Sequence, residues 1–429
     1  MKAYLNYEGR RVEFFLPDSW QLIQVGDRTP VEPCVSEEAE IEEALNRPIR
    51  SQRLEDLAKG KSDAIILFDD LQRQTPCHVI IPKVAERLKK GGIREEAVKL
   101  LCATGTHPPI SLEELKKKVG TEVFTAFEGR IFSHDPFGEH VFVGRTSRGT
   151  PIEINRLLHE SDLAVGIGTC MPHPSAGFGG GYKIVLPGVA SYETTERHHL
   201  TWLRNKKSTV NLLAGNPFFE DITEAGRLCG LLYKIDVVID GGRMVRAFSG
   251  DPFFAQREAS FLSFRLHGLS IPGLSDITVT SSFPLETGVQ AMKALLLASY
   301  CTKRGGIIIW LAPHRHAGPI APLIEEMAMD VTASEYHKRL LAKGIPDYLK
   351  HLGVSYAIQV VHFKEICEKF KVIHVTDGLH EEEVRKMGFE YAASIDEAIE
   401  LASALKRDAH VLVLPSGGSV LPVVKPSQL

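Results

Sequence analysis

Two histidines, each followed by proline, stand just past short apolar runs. His107 closes Ala103-Thr-Gly-Thr-His107-Pro-Pro after the run 98–103, and His173 lies in Gly166-Ile-Gly-Thr-Cys-Met-Pro-His173-Pro after the run 163–167. A third run, 63–68, leads into Asp69-Asp70-Leu-Gln-Arg73. In open parallel sheets ligands bind outside the carboxyl ends of the strands. If these runs are neighbouring strands, an acid, an arginine and two histidines converge on one crevice. Imidazole, titrating near ~6.5, suits proton transfer at neutral pH, and the planar fork of Arg73 suits a carboxylate. The bland reading makes Asp70 a turn residue, Arg73 a surface charge and each histidine structural. Two histidines in the same relation to a strand end favour a shared site.

The segment after His173 continues Ala176-Gly-Phe-Gly179-Gly180-Gly181-Tyr-Lys183 and then Ile-Val-Leu-Pro187-Gly188. Three consecutive glycines let a backbone pass close to a ligand or offer its amides to an anion. The spacing is not that of a phosphate loop, and no G-x-G-x-x-G follows the first strand, so a nicotinamide dehydrogenase is disfavoured. Lys183 is then either a phosphate contact or an amine in a tight site. His198 and His199 follow 15 and 16 residues later. Adjacent helix positions point in different directions, so at most one of the two is expected in the site. Imidazole suits zinc, copper, iron and nickel. No H-x-x-x-H or H-x-x-E-H spacing occurs here, so a metal site made of protein ligands alone is not supported.

Taken in order, Asp70-x-x-Arg73-x-Thr75-Pro76, Ala103-Thr-Gly-Thr-His107, Pro172-His173 with the glycine run, Lys183, Leu186-Pro-Gly188 and His199 resemble the nickel-dependent lactate racemase family. The resemblance covers nearly the whole chain, and Gln290-x-x-Lys293 resembles a further pair of that family. It implies an isomerase, a racemase or epimerase of 2-hydroxy acids. It also implies a nickel-pincer nucleotide tethered covalently to Lys183 through a thioamide, with His199 as the protein's metal ligand. In that scheme Asp70, Gly179, Gly180 and Gly181 contact the cofactor, and His107 and His173 are the acid/base pair. Arg73, Gln290 and Lys293 hold the small-molecule substrate. The Cα hydride moves to the cofactor while a histidine removes the hydroxyl proton. The implied partners are the enzymes that build and load the cofactor. Gln72 and Gln74 stand where the family commonly has threonine and proline, and Tyr182 where a small residue is commoner. The substrate therefore stays open between lactate and a larger 2-hydroxy acid, sugar acids included. Two rivals remain: a zinc-type metallohydrolase, and a non-catalytic hydroxy-acid binding or sensor protein.

The elements that must position these groups read as α/β. Apolar runs alternate with helical patterns at 79–90, 111–119 (opened by the capping box Ser111 to Glu114) and 220–229. Such alternation implies βαβ units and mostly parallel sheets. Segments 234–240 and 243–249 flank Gly241-Gly242, a hairpin signal. Residues 34–58 read as a connector plus a helix. Residues 265–275, with glycine, proline and serine, mark a boundary. Beyond it, strands are expected at 277–281, 306–311, 372–375 and 410–414, and helices at 287–299, 320–329, 363–370, 381–387 and 396–405. The expectation is an N-terminal α/β domain over 1–265 and a C-terminal α/β domain over 275–414, with the active-site cleft between them. The tail 415–429 is expected to run back along the first domain.

Composition narrows the field further. A chain of 429 residues, 44% hydrophobic and 24% charged, has the make-up of a globular protein with ample core. The net charge of −4 and the short basic runs at 116–118 and 204–207, read as solvated, argue against a nucleic-acid partner. No apolar stretch reaches ~18 residues, so no membrane span is expected. The opening MKAYLNYEGRRVEFF lacks the apolar core of a signal peptide. Seven scattered cysteines without C-x-x-C point to a reducing compartment, and so to a cytoplasmic enzyme.

Overall fold

The computed structural model describes residues 1–28, 31–286, 288–314 and 320–424. These fall into two compact units: one spans Pro30–Leu266 with Ile345–Val354, the other Met1–Thr29, His267–Gly344 and Ser355–Leu429. Among the described residues no helix is long and apolar enough to cross a membrane.

The unit built on 30–266 holds a six-stranded sheet in the order Arg243–Gly250, Leu231–Asp240, Ala164–Thr169, Ala64–Asp69, Val98–Ala103, Ile131–Ser133. All pairings are parallel except the hairpin of 231–240 with 243–250. Every residue of Ala64–Asp69 is buried, as a strand covered on both faces requires. Alternate side chains serve two cores. Ile66, Phe68, Leu100, Cys102, Val165 and Ile167 pack with Ile80, Ile81, Val84 and Leu88 of the helix Cys77–Lys90. On the opposite face Ile65, Leu67, Leu101 and Ala103 pack with Tyr182, Ile184, Val185, Leu186, Phe218 and Ile222. Register aligns the strand ends: Asp69 pairs with Ala103, and Phe68 with both Cys102 and Ile167. The three expected reactive segments therefore leave neighbouring strands at the same edge.

The other unit holds a second six-stranded sheet, all parallel, in the order Glu390–Ala392, Lys371–Val375, Thr302–Leu311, Ser275–Ser281, Ala409–Leu414, Trp20–Val25. The fold class is α/β with mostly parallel sheets. Three expected placements differ. Residues 345–354, expected in the C-terminal domain, group with the 30–266 unit. The first 29 residues group with the C-terminal unit rather than with 30–266, because Ala3, Leu5, Tyr7 and Phe14 of the hairpin Lys2–Tyr7/Arg10–Phe15 pack on Ile277, Val279, Val411 and Val413. The tail also stays in that unit: Leu421–Val424 pairs in parallel with Gly268–Ile271. Residues 425–429 of the expected tail lie outside the described residues. The helix expected at 287–299 is two, Gly288–Ala291 and Lys293–Ser299, with Thr287 outside the described residues. That expected at 363–370 is the end of a longer helix, Val354–Cys367.

Candidate active site

The carboxyl end of Ala64–Asp69 is fixed by Asp69. Its Oδ2 accepts the Thr75 hydroxyl at 2.5 Å and the Thr169 amide at 3.1 Å, clamping one strand end to the next. Its Oδ1 lies 2.8 Å from Lys118 Nζ, which also donates to the Arg73 carbonyl at 2.8 Å. Lys118 closes the helix Leu112–Val119, whose Ser111–Glu114 capping box is formed. The 116–118 run was expected to be solvated, and for Lys118 that is corrected: it is buried, because its ammonium is neutralised by Asp69. Burial pushes its pKa down, but the charge and hydrogen bond of Asp69 together with the neighbouring thiols of Cys77 and Cys102 outweigh it, and the net shift is upward.

Asp70 turns to the other side. Its Oδ2 lies 2.9 Å from His107 Nδ1, and its Oδ1 accepts the Gln72 amide at 3.0 Å. Burial raises the Asp70 pKa, but hydrogen bonding and charge from His107, then Arg73, outweigh it and hold the carboxyl below its usual range. An ionised carboxylate only accepts, so Nδ1 of His107 carries a proton, and in the neutral ring the lone pair is on Nε2. The turn carrying His107 is held by Gly105 N donating to Gly188 O (2.9 Å) and Val354 N to Thr106 Oγ1 (3.1 Å). His173 is set the opposite way. Its Nδ1 accepts the amides of Ser175 (3.2 Å) and Ala176 (3.1 Å), so in its neutral ring the proton sits on Nε2.

The glycine run is a close-packed turn. Gly180 and Gly181 have φ of +80° and +53°, backbone that favours glycine. Gly181 N donates to Asp236 Oδ2 at 2.9 Å, Gly179 N to Met171 O at 2.7 Å, and Gln256 Nε2 to Gly179 O at 2.9 Å. A Cβ on Gly180 would stand 2.7 Å from Asp236 Oδ1. Asp236 is itself paired with the fully buried Lys234 at 2.6 Å. Two of the amides expected to face an anion are therefore engaged within the fold, and the run acts by placing Lys183. Burial, then the charge of Arg73, lowers the Lys183 amine to about 7, where a neutral nucleophile is populated near neutral pH.

His198 and His199 lie on the helix Tyr192–Trp202, capped by Ser191. Their rings are in contact, with the two Nδ1 atoms 3.2 Å apart. Both rings pack against Phe218, with centroids at 4.5 and 4.8 Å. The His173 ring is 6.2 Å and Lys183 Nζ 5.9 Å from the same ring. Phe218 thus gathers His173, Lys183, His198 and His199, while Arg73 acts electrostatically on both Asp70 and Lys183. Sequence reasoning missed Phe218, although Asn216-Pro217 announces the start of its helix Pro217–Leu228. It also missed Lys118, Lys234, Asp236 and Gln256, whose signal is only that they are polar residues in apolar surroundings. Gln290 and Lys293, both partly buried, lie in the other unit on Gly288–Ala291 and at the start of Lys293–Ser299.

Among the described residues no group of three or more histidine, cysteine, aspartate or glutamate side chains is arranged to hold a metal. His199 nevertheless fits a single ligand. Its Nδ1 is 2.9 Å from the Thr195 carbonyl, to which it can only donate, so the lone pair is on Nε2. The donor set suits a metal whose other ligands come with a cofactor.

Residues 7–211 match the lactate racemase N-terminal domain and residues 272–422 the lactate racemase C-terminal domain. The chain is 31% identical over 397 residues to a lactate racemase of Lactiplantibacillus plantarum, covering 90% of this chain and 91% of that one. It is 29% identical over 394 residues to a lactate racemase of Thermoanaerobacterium thermosaccharolyticum, with the same coverage. The structure of the lactate racemase apoprotein from the latter organism superposes with a TM-score of 0.86 at 28% identity, covering 99% of this chain and all of that one. A Thermotoga maritima protein at 23% identity shares the fold, with a TM-score of 0.63 over 90% of this chain and 98% of its own. The chain belongs to the lactate racemase family of isomerases.

Proposed function

We propose that this enzyme interconverts the stereoisomers of a 2-hydroxy acid, lactate being the first candidate. The observation that carries the reading is the Asp70–His107 pair at 2.9 Å, a carboxylate-oriented base beside Arg73. Arg73 grips the substrate carboxylate through its planar fork. Nε2 of His107 takes the hydroxyl proton, and the imidazolium so formed is stabilised by Asp70. His173 serves the opposite face. To accept a proton on Nε2 it must first be in the other tautomer, which requires the Nε2 proton to pass to solvent, a solvent proton to reach Nδ1, and the amides of Ser175 and Ala176 to move off that nitrogen. Gln290 and Lys293 are proposed as further substrate contacts on the family resemblance alone.

A nickel-pincer nucleotide, when bound, supplies the reversible acceptor for the Cα hydride that no side chain provides. Lys183 would tether it and His199 Nε2 would ligate its nickel, with Asp70 and the Gly179–Gly181 turn alongside. The lowered pKa of Lys183 and the tautomer of His199 support these two roles. The cofactor-building and loading enzymes are the proposed partners. The seven free thiols support a cytoplasmic location.

The test is protein from a host with the cofactor-building enzymes, offered each enantiomer of a panel of 2-hydroxy acids and followed by chiral chromatography. Its intact mass should carry a nucleotide adduct that Lys183→Ala loses. An unmodified mass in a fully active enzyme rejects the tether, and no racemisation of any 2-hydroxy acid by loaded protein rejects the function.

A further inference from the structure

His198 makes no contact that the proposed reaction requires, yet it is fully buried and placed directly behind the proposed nickel ligand. Its Nε2 lies 3.1 Å from the Phe218 carbonyl, which can only accept, so Nε2 carries a proton. His199 Nδ1 must donate to the Thr195 carbonyl at 2.9 Å, so the nitrogen of His198 that meets it, Nδ1, can only accept. That atom faces His199 Nδ1 at 3.2 Å. His199 Nδ1 thus meets two acceptors, His198 Nδ1 and the Thr195 carbonyl, and nothing at that nitrogen rewards the opposite tautomer. Asp221 Oδ2, 3.9 Å from His198 Nε2, is held by the Thr150 hydroxyl at 2.6 Å and the Trp202 indole at 2.9 Å, so it supports the Nε2–H side of His198. The chain of polarity runs from Asp221 and Phe218 O through His198 to His199.

We propose that His198 is a positioning residue that fixes the tautomer and ring orientation of His199, keeping the Nε2 lone pair of His199 free for a metal. Neither ring changes charge in this role. Metal-bound histidines generally need such a partner on the other ring nitrogen, and its loss weakens metal affinity by about 10–100-fold. The inference rests on His199 being the nickel ligand.

The decisive measurement is long-range ¹H–¹⁵N NMR of wild-type apoprotein with ¹⁵N-labelled histidine. Protons on His198 Nε2 and His199 Nδ1 are expected. A proton on His199 Nε2, or on His198 Nδ1, overturns the inference without any variant having to fold. In loaded protein, His198→Phe should lose nickel to a chelator about tenfold faster than wild type, while His198→Asn, whose Oδ1 replaces the acceptor, should stay close to wild type. Equal retention by His198→Phe and wild type also overturns it. Nickel retained in His199→Ala instead sinks the ligand reading, and the inference with it.

Discussion

Asp70 Oδ2 and His107 Nδ1 stand 2.9 Å apart across the ends of two neighbouring parallel strands. The contact gives Asp70 a more specific task than contacting a cofactor, because it decides which nitrogen of His107 is basic. Asp70→Asn keeps the shape and removes the charge. A positioned acid–base contributes roughly 10²–10⁴-fold, so kcat should fall by about 10²-fold or more with nickel content unchanged. A kcat within threefold of wild type would show that the dyad is structural.

The opposite tautomers of His107 and His173 predict that the two variants fail differently. His107→Ala and His173→Ala should each retain nickel and lose racemisation by roughly 10²–10⁴-fold. Each should still form bound keto acid from one enantiomer, and the two variants from opposite ones. Trapping the keto acid after single turnovers reads this out. If both variants oxidise the same enantiomer, the two-face assignment fails.

Lys183 carries a pH signature. Its folded-state pKa, about 7, lies below the ordinary lysine value. Between those two pH values the native amine is neutral while the unfolded chain still binds the proton. The unfolded state therefore holds more protons, and this group adds stability as pH rises through that window and loses it as pH falls through about 7. Acylation of Lys183 in apoprotein, followed by peptide mass spectrometry, should rise through about pH 7. Modification that begins only above about pH 10, where an ordinary lysine titrates, would remove the neutral-amine argument.

For the proposed substrate contacts, Arg73→Lys keeps the charge but not the bidentate fork and should raise KM markedly. Lys293→Ala should lower kcat/KM as well. A value within about twofold of wild type would take Lys293 out of the reaction, whatever Arg73→Lys does.

What the sequence conveyed depended on whether the signal was local. The strands Ala64–Asp69, Val98–Ala103 and Ala164–Thr169 are continuous apolar runs ended by chemistry-bearing residues, so both the sheet and the position of His107, His173 and Arg73 past its strand ends could be read. The Ser111–Glu114 capping box and the Gly241-Gly242 hairpin likewise depend on near neighbours. The N-terminal hairpin and the tail were misassigned, because their partners are distant in sequence: Ile277 and Val411 for the hairpin, and Gly268–Ile271 for Leu421–Val424. The same holds inside the site. His198 and His199 are adjacent in sequence, but their joint use of Phe218 is set by the packing of two helices. Lys118 looked like one of three solvated lysines until the fold brought Asp69 beneath it.

That last pair yields the sharpest test of how the site is braced. Lys118 Nζ is shared between the Asp69 carboxylate and the Arg73 carbonyl, each at 2.8 Å, so one ammonium neutralises a buried acid and holds the turn carrying Arg73. Lys118→Met keeps the apolar stem and leaves Asp69 uncompensated. Removing one partner of a buried pair costs about 3–5 kcal/mol, or a Tm lower by roughly 6–20 °C for a unit of this size. Asp69→Asn in the same background removes the stranded charge and should recover much of that loss, since the penalty belongs to the unpaired acid rather than to the missing lysine. Recovery of stability need not restore the Arg73 turn, so the double variant should remain impaired in KM while its Tm returns. Calorimetry on the two single variants and the double variant, with KM for each, separates the two effects. Strictly additive Tm losses would mean that Lys118 and Asp69 do not act as a pair, and a wild-type KM in the double variant would mean that Lys118 has no part in holding Arg73.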